Sequence, residues 1–183
     1  MTLSEIHKVW IEIAEELNGQ LQFGDYLQAN VKAGIITAKI EYEFKGYKIE
    51  IHQGIFERGK GGFDFNPIII QSEIESRFDF DLTIWRMDFF DRLFGANRIR
   101  TGYRAFDKKI WVKSTSKAAI TKFFSNEKIR NELLADKMIH LHIDNKEEKW
   151  GVILKIFRAP GKIKTIEHAI FFFESIITQL EKF

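Results

Sequence analysis

The feature that most constrains the fold is a strict alternation of apolar and polar residues between positions 36 and 51. Every second residue from Ile36 to Phe44 is apolar, and the residues between them are polar or charged. The alternation resumes at Tyr47, after a Lys45-Gly46 pair. A period of two predicts strands with one buried face, and a short glycine-containing connection predicts an antiparallel hairpin. The expected core residues of this hairpin are Ile40, Tyr42, Ile49 and Ile51.

Helical periodicity is found near both ends of the chain. Apolar residues spaced by three and four begin at Leu3, and Asn18-Gly19 follows them as a stop signal. A second long helix is expected at about 165–182, and its apolar stripe consists of Ile166, Ile170, Phe173, Ile177 and Leu180. Shorter helices are predicted at 88–94, 116–124 and 126–135, whereas residues 20–33 show no regular pattern.

Between these helices the alternation predicts further strands at 63–74, 78–85, 105–113, 139–143 and 150–157. Pro67 marks an edge or a bulge in the first of them, and Asp144-Asn145 is the expected turn between the last two. Strands joined by short turns predict an α+β fold with a single antiparallel sheet of about six to eight strands. The N- and C-terminal helices are expected to cover this sheet, as in helix-grip folds. Because no linker is apparent, we expect one domain over residues 1–183.

The composition excludes several classes of protein. With 45% hydrophobic and 30% charged residues, the chain is typical of a globular protein. The apolar runs are too short for a membrane span and no secretory signal precedes the first helix, so we expect a cytoplasmic protein. The absence of cysteine excludes disulfides, thiolate catalysis and cysteine-based zinc sites. A net charge of +2 predicts no general attraction to nucleic acid or anionic lipid.

Charge is nevertheless distributed unevenly along the chain. Residues 62–91 carry an excess of acidic side chains, and residues 98–122 carry an excess of basic ones. Such neighbours are expected either to pair with each other or to form separate surfaces. Aromatic residues interleave with the basic ones, as on a nucleic-acid-binding surface, but no signature of a nucleic-acid-binding module accompanies them. The candidate basic patch consists of Arg98, Arg100, Arg104, Lys108 and Lys109.

Phenylalanine is unusually frequent, with 18 residues in the chain, and most of them recur at periods that predict burial. Phe171 and Phe172 lie beside the apolar stripe of the last helix, so they widen the apolar arc beyond what one sheet face covers. Rings on such a flank must meet another element, a ligand or a second chain. We therefore predict that they line a pocket or a homodimer contact together with Phe89, Phe90 and Phe94.

Two groups of polar residues resemble catalytic or metal-binding motifs but also have simpler interpretations. Asp64, Asp79 and Asp81 are candidates for acid–base catalysis, yet alternating Phe and Asp residues are equally typical of a half-exposed strand. His140 and His142 share one face of a strand, but no third ligand is apparent near them. We therefore predict neither a metal nor a cofactor.

The segment Arg100–Lys113, together with the two helices that follow it, resembles a pattern in uncharacterised bacterial proteins. In those proteins an aromatic-Asp-Lys strand, here Phe106-Asp107-Lys108, precedes a pair of short helices, of which the second ends here in Ile129–Leu134. The order of the other elements is also similar. The resemblance implies no activity, and it implies structural roles for Phe106 and Asp107, with the carboxylate satisfying backbone donors at a strand end.

From these patterns we favour a non-enzymatic soluble domain that binds an apolar ligand or a protein partner. The polar residues fit solvated faces, whereas the interior contains aromatic rings able to line a pocket. One alternative is an adaptor or immunity-type protein that docks through its charged patches. A further alternative is a hydrolase that uses Asp64, Asp79 and Asp81.

Overall fold

A computed structural model describes residues 3–26, 35–58, 62–75, 79–87, 98–135, 139–146, 148–157 and 163–183. Its helices are α1 (Leu3–Glu16), α2 (Arg104–Asp107), α3 (Lys117–Phe123), α4 (Glu127–Ala135) and α5 (Ile163–Leu180). Its strands are β1 (Gln20–Tyr26), β2 (Ile35–Phe44), β3 (Tyr47–Arg58), β4 (Gly62–Phe65), β5 (Ile68–Glu75), β6 (Leu82–Arg86), β7 (Ile110–Ser114), β8 (Ile139–Lys146) and β9 (Lys149–Ile156). The predicted α+β class with an antiparallel sheet is confirmed.

The strands pair in the order β1-β2-β3-β5-β9-β8-β6-β7, and β4 also pairs with β3. The chain forms two compact units. The first unit comprises Met1–Ser72 and Lys155–Phe171, and the second comprises Glu73–Leu154 and Phe172–Phe183. The single domain expected over residues 1–183 therefore stays a prediction. Within the described ranges, none of the helices is long and apolar enough to cross a membrane.

The β2–β3 hairpin of the first unit forms as the alternation predicts. Ile40 pairs with Ile51 and Tyr42 with Ile49 in an antiparallel register, and all four side chains are buried. The connecting Lys45 and Gly46 have φ angles of 54° and 82°. A two-residue turn with positive φ at both positions matches the right-handed twist of its strands, so it fixes the register of the hairpin.

Pro67 lies at a bulge, as predicted, but the single strand expected over 63–74 is two strands. Ile55 of β3 pairs with Phe65 of β4, whereas Ile51 of β3 pairs with Ile70 of β5. The segment from β4 to β5 therefore holds one residue more than the facing part of β3. The Asn66 amide donates to the Gly54 carbonyl oxygen at 2.9 Å, and Gln53 Nε2 donates to the Asn66 carbonyl at 2.8 Å. Because proline has no amide hydrogen, it is tolerated where the ladder is interrupted.

The expectation that residues 20–33 are irregular is wrong for its first part. Residues 20–26 form β1, which pairs antiparallel with β2 from Gln20↔Glu41 to Tyr26↔Ile35. Leu21 is half-buried and Phe23 is exposed, so this strand at the end of the sheet lacks the alternation of buried and exposed residues that marks β2. Residues 27–34 lie outside the described ranges.

In the second unit, β6 pairs antiparallel with both β7 and β8. The buried residues on these strands are Leu82, Ile84, Ile110, Trp111, Val112, Ile139, Leu141 and Ile143. The helices predicted at 116–124 and 126–135 are confirmed as α3 and α4. Ser116 Oγ accepts the Ala119 amide at 3.2 Å, and Asn126 Oδ1 accepts the Lys128 amide at 3.0 Å, so each helix begins at a side-chain cap.

Two boundaries in the second unit differ from the prediction. The strand expected over 105–113 begins only at Ile110, because residues 104–107 form the helical turn α2. The turn expected at Asp144-Asn145 lies later, since β8 continues to Lys146 and Glu148 has a φ of 67°. Asn145 stays within β8 because its backbone amide donates to Asp81 and its side-chain amide donates to Asp79. The helix predicted at 88–94 lies outside the described residues.

Buried aromatic rings occupy much of the second unit. Phe80 packs edge-on to Trp150 and stacks on Phe183, with centroid distances of 5.3 Å in both pairs. Phe124 contacts Phe106 and Phe123, at centroid distances of 4.8 and 5.2 Å. Along α5 the predicted stripe is confirmed, because each of its residues is buried: Ile166, Ile170, Phe173, Ile177 and Leu180.

Candidate protein-docking site

The first strand of the sheet, β1, has an edge that the described part of the chain does not use. Its backbone hydrogen bonds in the described residues run to β2, on one side. Along the other side of any such strand, alternate residues present their N–H and C=O groups outward. The strand is seven residues long. It therefore offers a row of main-chain donors and acceptors to another extended segment.

This edge has few of the features with which proteins usually protect a terminal strand. Residues 20–24 contain no charged residue and no proline. The register to β2 runs without a bulge through all seven pairs, from Gln20 to Tyr26. The Phe23 side chain is 40% exposed. Charges, prolines and bulges are the common means of blocking strand addition. β1 has no proline and no bulge, and its one charged residue, Asp25, lies near its carboxyl-terminal end, so residues 20–24 are accessible to a further strand.

The helix α1 forms an apolar opening beside this edge. The Phe23 ring contacts the His7 ring in a tilted arrangement with a centroid distance of 4.3 Å, and Ile11, one helical turn further on, is 43% exposed. A depression of about 440 Å³ adjoins them and is lined by Ile11, Ala14, Glu15, Asn18, Gly19 and Leu21. Leu21 and Phe23 pair with the buried Ile40 and Ala38, so all four side chains point to the same face of the sheet.

The local sequence explains why the opening forms there. Asn18 adopts a φ of 49°, and the Gly19 amide donates to the Ala14 carbonyl oxygen at 2.8 Å, which ends α1 as the Asn-Gly pair predicts. A Cβ atom on Gly19 would lie 2.9 Å from Ile40 Cγ2. Glycine therefore lets the chain pass directly over β2 and start β1 there. The tight connection leaves Ile11 and Leu21 at the end of the sheet.

The charge at this opening is negative. Glu15 belongs to the lining, and Glu16 follows it in the last turn of α1, which contains no basic residue. The neighbouring Glu167 carboxylate is the main cause that raises the pKa of Glu16 above its usual value. Lys8 lies 3.7 Å from Glu12 and so balances the charge of that residue.

The opposite face of the first unit, by contrast, balances its own charges. Lys39 lies 2.7 Å from Glu41 and 3.2 Å from Glu50, and Lys48 lies 2.8 Å from Glu41. Hydrogen bonds donated by Lys39 and Lys48 lower the pKa of Glu41 to about 2. The hydrogen bonds that Lys39 donates to Glu41 and Glu50 raise the pKa of Lys39. Burial lowers the pKa of His52 on the same face. These contacts hold β2 and β3 together, and the charges involved are already paired with each other.

Of the phenylalanines predicted to line a pocket or dimer contact, only two lie in described residues. Phe171 is 63% exposed, whereas Phe172 is 2% exposed and therefore buried within the monomer. Phe89, Phe90 and Phe94 lie outside the described ranges. The joint lining that we expected from these five residues stays a prediction, and Phe172 offers no surface to a second chain in this conformation.

The predicted basic patch is largely exposed. Arg100, Arg104, Lys108 and Lys109 are exposed, and Arg98 is half-buried with its guanidinium directed at the Met87 sulfur. In the ranges that the structure describes, none of these five cations forms a salt bridge. Of the aromatic residues between them, Phe106 and Trp111 are buried and Tyr103 is 37% exposed. Of these three aromatic side chains, Tyr103 is therefore the one that is exposed for stacking on a nucleic-acid base.

Asp107, the one acid within the basic segment, has the structural role that the sequence resemblance implies. Its Oδ1 accepts the Thr101 amide at 2.9 Å and the Thr101 hydroxyl at 2.8 Å, and its Oδ2 accepts the Gly102 amide at 3.2 Å. The carboxylate is therefore directed at the backbone of residues 101–102. The carboxylate therefore belongs to the helical turn α2 and binds the residues before this turn, whereas we expected it at the end of a strand.

The aspartates of the hydrolase hypothesis are found in different settings. Asp64 lies on β4 in the first unit. Asp79 and Asp81 are exposed in the second unit, where Asn145 Nδ2 donates to Asp79 at 2.8 Å and the Asn145 amide donates to Asp81 at 3.2 Å. Both carboxylates hold the end of β8 in place. The hydrolase stays a prediction, without a described nucleophile or oxyanion site beside this pair.

The two histidines on β8 are exposed, as the strand pattern indicates. His142 Nδ1 lies 3.0 Å from Thr83 Oγ1 of the neighbouring strand. Across the described residues, no three His, Cys, Asp or Glu side chains are grouped closely enough to bind a metal ion.

The sequence contains only a weak signal for the β1 edge. An uncharged run, Gln20–Gly24, follows the helix stop directly, but its apolar residues are too few to predict a strand. Comparison with known proteins adds no further assignment: no protein-family model matches the chain, and neither a curated protein nor a solved structure is found to be similar to it.

Proposed function

We propose that this chain is a non-enzymatic protein-binding domain that accepts an extended segment of a partner protein at the β1 edge. The observation that supports this proposal most directly is the edge of β1 that the described residues leave unused, beside a depression with apolar and acidic lining residues. Addition of a strand to a sheet edge is a common mode of peptide recognition, in which main-chain hydrogen bonds supply affinity and alternate side chains supply specificity. We further propose a cytoplasmic location, which suits a chain without cysteine.

The opening fits the side chains of such a segment. A strand paired with β1 directs every second side chain to the face that carries Leu21 and Phe23. On that face lies the depression of about 440 Å³, which is large enough for more than one side chain. Its lining includes Glu15 and Asn18 as well as apolar residues, which favours a peptide over a purely apolar small molecule.

The exposed apolar side chains give an order of magnitude for the gain. Phe23 is 40% exposed, and an aromatic side chain of ~200 Å² then leaves roughly 80 Å² to be buried. At about 25 cal/mol per Å², covering Phe23 contributes roughly 2 kcal/mol. Ile11 has a similar exposed fraction of 43%. Main-chain hydrogen bonds to the added strand contribute as well, and a partner segment that is already extended loses less conformational entropy on binding.

The proposal is tested by selecting short displayed peptides against the purified protein and measuring their binding to variants. We expect the selected peptides to alternate apolar and polar residues and to increase the protection of β1 amides against hydrogen exchange. Phe23→Lys should abolish their binding. Phe157→Lys is the matched control, because Phe157 has a comparable exposure of 38%. Equal binding to wild type and to Phe23→Lys would overturn the proposal.

A further inference from the structure

We infer that the partner segment is basic at one end, so that it follows the pattern apolar-x-apolar-x-Lys/Arg when it pairs with β1. This inference rests on the proposed function and names the chemistry of the partner. Its basis is the pair of carboxylates in the last turn of α1, Glu15 and Glu16, of which Glu15 lines the depression and neither forms a salt bridge with a described cation.

The charges around the opening do not cancel. Glu15 lines the depression, and neither Glu15 nor Glu16 forms a salt bridge within the described chain. The lysine on the same helix, Lys8, lies 3.7 Å from Glu12 and is already balanced by that residue. A ligand that enters the depression therefore meets at least one carboxylate with no counter-ion supplied by the described residues.

The position of these carboxylates on the helix is itself unfavourable. The carboxyl-terminal end of a helix carries a partial negative charge, which favours basic residues in the last turn. In α1 the last turn has no basic residue and instead contains Glu15 and Glu16. A second repulsion adds to this one, since the Glu167 carboxylate raises the pKa of Glu16. A cation from the partner that reaches Glu15 relieves the unfavourable interaction of this residue with the helix end, whereas the free protein has to tolerate it.

The register of the sheet places the basic residue within the partner. Phe23 and Leu21 lie on the same face of β1, and Gly19 comes directly before the strand, two residues ahead of Leu21. Partner side chains opposite Phe23 and Leu21 meet apolar surface, and the next side chain on this face lies at the Gly19 end. Gly19 and Glu15 line the same depression. The third facing side chain of the partner is therefore the one that reaches Glu15.

A second copy of this chain does not meet these requirements. Its own β1 edge offers Gln20–Gly24, which contains no basic residue. Pairing of two β1 strands would bury the apolar side chains but would leave the carboxylates of both copies without counter-ions. The charge at the opening thus favours a different, basic segment over self-association.

The inference is tested with two short synthetic peptides that share two alternate valines and differ in the third facing residue, which is Lys in one and Glu in the other. We expect the Lys peptide to bind wild type about tenfold more tightly, and the difference to shrink at high salt. In Glu15→Lys the preference should reverse. Because this substitution places a cation at a helix end, it should not lower the thermal stability of the free protein.

The possible results separate the inference from the function on which it rests. Equal affinity of the two peptides for wild type, with both lost in Phe23→Lys, would overturn the basic partner and leave strand addition intact. Binding of neither peptide, nor of any selected one, would overturn strand addition itself. Concentration-dependent dimerisation of wild type that Phe23→Lys abolishes would show that the occupant is a second copy, and would also overturn the inference.

Discussion

The charged side chains of the two units are arranged in different ways. On the β2–β3 hairpin of the first unit, Lys39 lies 2.7 Å from Glu41 and 3.2 Å from Glu50, and Lys48 lies 2.8 and 3.8 Å from the same two carboxylates. In the second unit, the described part of the chain provides no salt bridge to the exposed cations Arg104 and Lys109. The net charge of +2 is therefore distributed unevenly: the charges on the β2–β3 hairpin pair with each other, whereas Arg104 and Lys109 form no salt bridge in the described residues.

This difference indicates which charges belong to the fold. Charges that face each other across strands stabilise one register and are satisfied before any partner arrives. The acidic and basic segments of the sequence do not supply such partners to each other in the described residues. Glu73 lies 3.5 Å from Lys149, and Asp79 and Asp81 accept hydrogen bonds from Asn145. Within the described ranges, the cations of the basic segment therefore form no salt bridge with the acidic segment.

The largest effect is expected where the paired face meets the core. Ile40 is fully buried opposite Ile51, on the reverse side of the strand that carries Lys39 and Glu41. Ile40→Asp should lower the free energy of unfolding by more than about 4 kcal/mol, because it buries a charge without a partner. Chemical denaturation measures this loss.

The control for Ile40→Asp is Thr37→Asp, on the same strand and the opposite face. Thr37 is half-exposed, so the new carboxylate stays in water. We expect a change within about 1 kcal/mol. If the two variants unfolded at the same denaturant concentration, the assignment of the buried face of β2 would be wrong.

A smaller but clear effect is expected from the one acid in the basic segment. Asp107→Ala removes the acceptor of the Thr101 amide, the Thr101 hydroxyl and the Gly102 amide. We expect a loss of about 1–3 kcal/mol in the free energy of unfolding, because Thr101 is buried and its donors lose their partner. Lys108→Ala, one residue away and exposed, should change stability by less than about 0.5 kcal/mol.

The comparison also shows which parts of the molecule a sequence can predict. The β2–β3 hairpin and the capped helices α3 and α4 depend on neighbours in sequence, and the predictions for them are confirmed. In the hairpin, the alternation, the turn residues and the cross-strand charges all favour the same register. Local preferences and tertiary contacts agree there, so the pattern alone is sufficient.

The predictions that are wrong concern segments whose structure depends on contacts with residues distant in the sequence. The sequence of β1 does not predict a strand, because the side chains on its inner face are partly exposed and its apolar residues are too few. Only the pairing with β2 identifies this strand. The start of β7 was misplaced because the Asp107 carboxylate stabilises a helical turn through contacts with residues 101 and 102. The docking site combines β1 with α1, and so it could not be found before the strand itself was known.

The pH dependence of the paired face gives a third prediction. Lys39 and Lys48 lower the pKa of Glu41 from 4.5 to about 2. A carboxyl group whose pKa is lower in the folded state contributes stability above its unfolded pKa and loses it as the pH falls through the folded pKa. This contribution should therefore be lost between about pH 4.5 and 2. Carboxyl NMR titration gives the pKa directly, and Glu41→Gln should reduce the pH dependence of unfolding in that window.

The smallest effect is expected from the unpaired cations. Lys109→Glu in the second unit should change the free energy of unfolding by less than about 0.5 kcal/mol, since no described carboxylate forms a salt bridge with Lys109. Lys48→Glu in the first unit is the matched variant, because it places a third carboxylate beside Glu41 and Glu50. Its cost should be larger, at about 1 kcal/mol, and should decrease in high salt because Lys48 is 63% exposed. Denaturation of both variants at two salt concentrations measures the contrast, and equal losses would mean that the basic surface is as much a part of the fold as the paired one.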